Sequence, residues 1–236
     1  RTALLLALHL GVVTRAEQPP GRYSHCSVLL GDKVYTFGGR GFAEDDSKRA
    51  LVLFSDIWVF DTITTDWAAV TVESSDNPGP RSSHSCAEFG ANQFYMFGGM
   101  SEDSTRQRLM DDLWRFTLKT SATGSWERVS TSGFSWDSLE SGSARPSVRS
   151  DQVLVSLPEK EELYLLGGCN TRDARPLAWR LKLATHQWEP LPMGSTAGVQ
   201  DVPSAEDAEL GEDEAQHQRS TFLLDAARVG LNPTGS

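Results

Sequence analysis

The sequence predicts an all-β fold assembled from repeated four-stranded sheets, and three recurring features predict it. A glycine pair returns at Gly38-Gly39, Gly98-Gly99 and Gly167-Gly168, each time behind an apolar run containing Tyr35, Tyr95 or Tyr164. A tryptophan closes each unit, at Trp67, Trp126 and Trp188. An arginine opens each unit: Arg22 before His25, Arg81 before His84, and Arg149 before Gln152. The glycine pairs lie 60 and 69 residues apart and the closing tryptophans 59 and 62, the spacing of one supersecondary unit used three times.

Within each unit the elements follow in order. Short apolar alternations after the opening arginine predict a first strand, a, at Cys26–Leu30, Cys86–Phe89 and Val153–Leu157. Turn residues then reverse the chain: Gly31-Asp32-Lys33, Gly90-Ala91-Asn92 and Pro158-Glu159-Lys160. Strand b carries the tyrosine and ends on the glycine pair, whose tolerance of positive φ and of close backbone approach suits a crowded sheet end. Strand c holds Trp58-Val59-Phe60, Trp114-Arg115-Phe116 or Trp179-Arg180-Leu181, and strand d begins near the closing tryptophan. A small twisted sheet that is apolar on both faces cannot bury them alone, so successive units must stack face to face.

With the double glycine, the tyrosine ahead of it and the closing tryptophan in register three times, the sequence resembles the kelch family of β-propellers over about residues 22–192. The resemblance implies a partial kelch-type propeller. Residues 17–192 would hold three complete blades, at about 22–70, 81–129 and 149–192, with strand a lining a central channel and strand d outermost. It also implies that Tyr35, Tyr95, Tyr164, Trp67, Trp126 and Trp188 pack between blades as core. Propellers carry roughly four to eight blades. The chain is therefore expected to be part of a longer protein, or to close by association, with two blade faces uncovered. Residues 219–236, through Arg219–Leu224, read as the start of a fourth blade, and 193–218 as an acidic insert.

The formal charge is −10 from 22 basic and 32 acidic residues, which argues against a phosphate-neutralising nucleic-acid surface. Part of the acidity is the solvated run Glu206–Glu214. Residues 1–16 leave two readings open, a secretory signal or a stray strand of a preceding blade. The compartment follows that choice, secreted or lumenal in the first case and cytoplasmic in the second. The apolar stretch Thr2–Val13 is too short to span a bilayer, which takes about 20 residues. Cys26, Cys86 and Cys169 form no CxxC pair, so spacing supports no zinc site. Cys26 and Cys86, one and two residues after the repeat histidine, are expected on opposite faces of their own sheets and as small buried residues. Bonding between them requires adjacent a strands to bring the sulfurs close. Cys169 reads as the exposed thiol.

Nucleophile, phosphate-loop and metalloprotease motifs are missing from the sequence. Copper radical oxidases within the family need two Tyr, two His and a Cys converging. Here every tyrosine but Tyr23 belongs to the repeat pattern, and the periodic His25 and His84 read as structural, so no cofactor is expected. Function is expected in the loops between strands b and c, held up by a rigid scaffold. Each contains arginines: Arg40 and Arg49, Arg106 and Arg108, Arg172 and Arg175. If these loops share one rim, as in the family, the guanidinium groups form a ring suited to an acidic partner. Trp136 is a second candidate anchor. The favoured expectation is a non-enzymatic protein-interaction module. A metal- or copper-dependent kelch enzyme completed by further blades, and extracellular glycan or adhesion binding, are the alternatives.

Overall fold

The computed structural model describes residues 18–42, 50–102, 106–133, 145–169 and 178–191, and these form three antiparallel blades with no α-helix. In blade one, β1 (Arg22–Tyr23) precedes β2 (Cys26–Leu30) and β3 (Lys33–Phe37). A rim hairpin of β4 (Arg40–Phe42) and β5 (Leu51–Leu53) then leads to β6 (Ile57–Asp61) and β7 (Trp67–Val72). Blade two repeats this with β8 (Ser85–Glu88), β9 (Gln93–Phe97), the rim hairpin β10 (Met100–Glu102) and β11 (Gln107–Leu109), then β12 (Leu113–Thr120) and β13 (Thr123–Val129). Blade three comprises β14 (Ser150–Leu157), β15 (Glu162–Cys169), β16 (Ala178–Lys182) and β17 (Gln187–Pro190). The order a-b-c-d holds in every blade, since β2-β3-β6-β7, β8-β9-β12-β13 and β14-β15-β16-β17 are each hydrogen-bonded in sequence. The a strands β2, β8 and β14 lie against one another in turn.

The a-to-b turns follow the chemistry of their residues. Gly31 and Gly90 take positive φ of 64° and 71°. Blade three substitutes a single 3-10 turn at Pro158–Lys160, with Glu161 left-handed at φ 55°.

Strand b explains the stacking. Side chains alternate across a strand, and in β9 both sets are buried: Phe94 and Met96 enter the core shared with blade one, while Tyr95 and Phe97 enter the core shared with blade three. The same parity recurs. Tyr35 and Phe37 of blade one face blade two, and Leu163 and Leu165 of blade three also face blade two. The closing tryptophans point the other way. Trp126 sits among Phe37, Phe94, Phe116 and Trp114, and Trp188 packs against Phe97. Blades one and two thus offer their tyrosine to the next blade, and blades two and three their tryptophan to the previous one.

This polarity leaves two of the six repeat aromatics without a facing blade among the described residues. Trp67 is only half-buried and packs on Phe60 of its own blade, and Tyr164 is half-buried with its hydroxyl donating to Glu162. Both lie on terminal faces: Trp67 points away from blade two, and so does Tyr164 from the opposite side. The exposed aliphatics Leu29 on blade one and Val153, Val155 and Leu166 on blade three mark the same two faces.

The two strands β7 and β13 pair in parallel through Thr71–Thr123 and Val72–Gly124, joining blades one and two into one eight-stranded sheet. At the inner end backbone bonds pass from blade to blade through left-handed residues: Ser83 N–H donates to Ser24, and Asp151 N–H to Ser83. Residues 1–17 and 192–236, with the proposed leader, acidic insert and fourth-blade start, lie outside the described residues.

Candidate functional site

The opening arginine of each repeat proves to be a clamp. Arg22 donates to both oxygens of Asp56 at 2.6 and 2.9 Å and to the carbonyl of Gly38. Arg81 repeats this on Asp112, at 2.7 and 3.0 Å, and on Gly98. Trp58 and Trp114 donate to the same carboxylates. Arg149 keeps the bond to the glycine carbonyl, here Gly167, but bonds Ser147 in place of a carboxylate. The residue two before Trp179 is Leu177, where the other blades have Asp. Burial lowers the Arg149 pKa.

The repeat histidine is a seam residue. His84 bonds the carbonyl of Phe37 in blade one through Nε2 at 3.1 Å, and Gln152 donates to the equivalent Phe97 carbonyl of blade two at 2.7 Å. Burial, followed by the Arg81 charge, pushes the His84 pKa down to about 3, so the ring is neutral. Nε2 therefore carries the proton given to Phe37, and Nδ1 is left buried without a hydrogen-bond partner. His25 has the same place in blade one but is exposed.

Cys26 and Cys86 are joined as a disulfide across the blade one–blade two seam, which replaces the expectation of two separate buried residues. Facing opposite sides of their own sheets is what brings them together, because the forward face of β2 meets the backward face of β8. Cys169 is free and exposed. The sulfurs of Cys26 and Cys86 and a ring nitrogen of His84 lie within 4.8 Å of one another. Spacing along the chain hid this grouping, since its members come from two blades.

At the rim, the b-to-c connections form hairpins. Register places Tyr23 opposite Arg40, Arg40 opposite Leu53, and Phe42 opposite Leu51. By alternation these five residues share one face of the small β1-β4-β5 sheet. Tyr23, Phe42 and Leu51 are exposed there. On the other face Arg22 stacks over the Phe54 ring, 4.3 Å from its centroid, which seats the sheet on the blade. Arg40 Nη2 reaches across to Glu102 of the neighbouring hairpin at 3.9 Å, while Arg106 and Arg108 on that hairpin are exposed. The rim thus brings Arg40 near the blade-two hairpin and adds three apolar side chains that residue type alone did not single out. Their signal was the parity Arg40–Phe42 inside a segment read as a loop. Arg49, Trp136, Arg172 and Arg175 lie outside the described residues. Among the described residues, no helix is long and apolar enough to cross a membrane.

Comparison with known proteins matches residues 9–135 to the family described as the KLHDC2/KLHL20/DRC7 Kelch-repeats domain. The chain is 27% identical to Kelch domain-containing protein 2 of Bos taurus over 188 residues, covering 72% of this chain and 41% of that protein. It is 28% identical to Kelch domain-containing protein 3 of Rattus norvegicus over 178 residues, covering 74% and 41%. Tip elongation aberrant protein 1 of Schizosaccharomyces pombe (strain 972 / ATCC 24843) is 30% identical over 150 residues, covering 62% and 11%. The chain therefore spans less than half the length of each of these relatives.

Proposed function

The chain belongs to the kelch-repeat family, and from that premise we propose that it is a protein-binding module that engages partners through the rim formed by β1-β4-β5 and the β10–β11 hairpin. The observation that carries this reading is the single face shared by exposed Tyr23, Phe42 and Leu51 with Arg40. Exposed aromatic and aliphatic groups beside guanidinium groups are the usual composition of interface anchors. Arg106 and Arg108 add exposed positive charge to a chain whose formal charge is −10, which favours a partner segment carrying a carboxylate next to an apolar side chain. The reading is of binding rather than catalysis. Among the buried ionisable residues described, Arg81, Asp112 and Arg149 are bonded into the blade architecture.

Selection of a random peptide library on the immobilised chain tests it. Sequences pairing acidic with apolar residues are expected to be enriched. The folded variant Arg40→Ala/Arg106→Ala/Arg108→Ala is expected to bind them at least about tenfold more weakly, the loss of one good anchor. Undiminished binding by that variant overturns the assignment.

A further inference from the structure

We propose that Cys26, Cys86 and His84, once the disulfide is reduced, form a two-thiolate, one-imidazole site for a divalent thiophilic cation of the Zn2+ type across the blade one–blade two seam. The three ligand atoms already stand within 4.8 Å of one another. Thiolate and imidazole are the donors such cations select.

The histidine is prepared as a ligand. Its Nε2–H is held by the Phe37 carbonyl, which fixes the tautomer, and its Nδ1 lone pair is buried with no partner. A ring nitrogen anchored to a backbone carbonyl while the other faces the metal is the usual support for a histidine ligand.

The second seam provides an internal comparison. At the positions matching Cys26, His84 and Cys86, the blade two–blade three seam has Ser85, Gln152 and Leu154. Gln152 preserves the bond to the phenylalanine carbonyl, and Ser85 Oγ accepts from the backbone N–H of Leu154. The seam can therefore be built without any of the three ligands. All three occur together only at the first seam of the described blades.

The chemistry balances in two steps. A thiol or phosphine reductant delivers two electrons to the sulfur–sulfur bond and is itself oxidised, while two protons convert the sulfurs to thiols. The cation then displaces both protons and forms two metal–sulfur bonds and one metal–nitrogen bond. Two thiolates and a neutral imidazole around a dication give zero net charge, which a buried apolar seam accepts far more readily than an uncompensated ion. The same ligands around a monovalent cation would leave a buried negative charge.

The test uses the full chain, reduced with a phosphine, freed of metal, and titrated with Zn2+ against a chromophoric chelator and with Co2+ as a coloured substitute. One equivalent is expected to bind, and Co2+ is expected to show thiolate-to-metal charge transfer. Cys26→Ser and Cys86→Ser are each expected to weaken Zn2+ binding at least about tenfold. His84→Gln is expected to do so while unfolding like the parent, because Gln152 demonstrates that glutamine supports the seam. Cys169→Ser is expected to change nothing. Three results overturn the proposal: no stoichiometric binding by the reduced chain, parental affinity in folded His84→Gln, or loss of the folded state on reduction that Zn2+ does not restore.

Discussion

Arg81 and Asp112 close on each other through two side-chain bonds, with the guanidinium fully buried and the carboxylate 5% exposed. The equivalent pair in blade one, Arg22 and Asp56, has the same bonds, but its carboxylate is 41% exposed. Both guanidinium groups are buried, Arg22 at 4% exposure, so the difference lies in the carboxylate. Water reaches the Asp56 side of the first pair and is shut out from both sides of the second. Asp112→Asn is therefore expected to cost about 3–5 kcal/mol, the penalty for orphaning a buried charge. Asp56→Asn is expected to cost distinctly less. Urea unfolding of both variants decides it, and equal losses would show that burial does not set the difference.

The same pair imposes an acid limit. Burial alone would raise the Asp112 pKa, but the bonds and charge of Arg81 and the Trp114 bond outweigh it and hold the value below the ordinary 3.8. The folded state thus binds its proton less readily than the unfolded chain. The stabilisation is complete above the ordinary value and disappears as pH falls through the lower folded one. Urea midpoints of the parent are expected to drop below about pH 4 more steeply than those of Asp112→Asn. Parallel acid limbs would refute the assignment.

Gly38 and Gly167 share a φ of 64°, yet only one of them faces a neighbouring blade. A β-carbon on Gly38 would stand 2.9 Å from both the Arg81 carbonyl and His84 Cε1, whereas one on Gly167 would meet nothing within 4 Å. Gly167→Ala should cost about 1–2 kcal/mol of left-handed strain. Gly38→Ala should cost clearly more, because the seam must also open. Thermal unfolding of the two proteins side by side measures the difference, and equal shifts would mean that the seam yields freely.

Cys26 and Cys86 are 60 residues apart, so their bond restricts a long loop of the unfolded chain. A loop-entropy estimate for that length is roughly 4 kcal/mol. Reduction without added metal is expected to lower the urea midpoint of the parent and to leave Cys26→Ser unaffected. A parent midpoint insensitive to reductant would show that the bond adds nothing to stability.

The blade plan was legible because its markers are local. Gly38-Gly39, Tyr35 and Trp67 lie within one unit, and their recurrence reports strands and turns directly. What was not legible depends on which faces oppose. Alternation correctly put Cys26 and Cys86 on different faces of their sheets, but a single strand does not reveal that the forward face of one blade is the neighbour of the backward face of the next. The half-burial of Trp67 and Tyr164 follows from the same polarity, since each faces away from the neighbouring blade among the described residues. Arg22 and Arg81 were visible as repeat markers, and Asp56 and Asp112 as part of strand c. Their pairing spans 34 and 31 residues and emerges only when the blade folds. Phe42 gained its place beside Arg40 through hairpin register, which a segment read as a loop does not supply.

The opposed placement of tyrosine and tryptophan gives the stack a direction. Leu29 and Trp67 mark one end, and Tyr164, Val153 and Val155 the other, so the two ends differ in shape and side-chain character. Contact of one kind of end on the other is heterologous, and each added blade turns the growing edge by the same rotation. A propeller is the closed solution of that rotation, reached when the last tyrosine face meets the first tryptophan face.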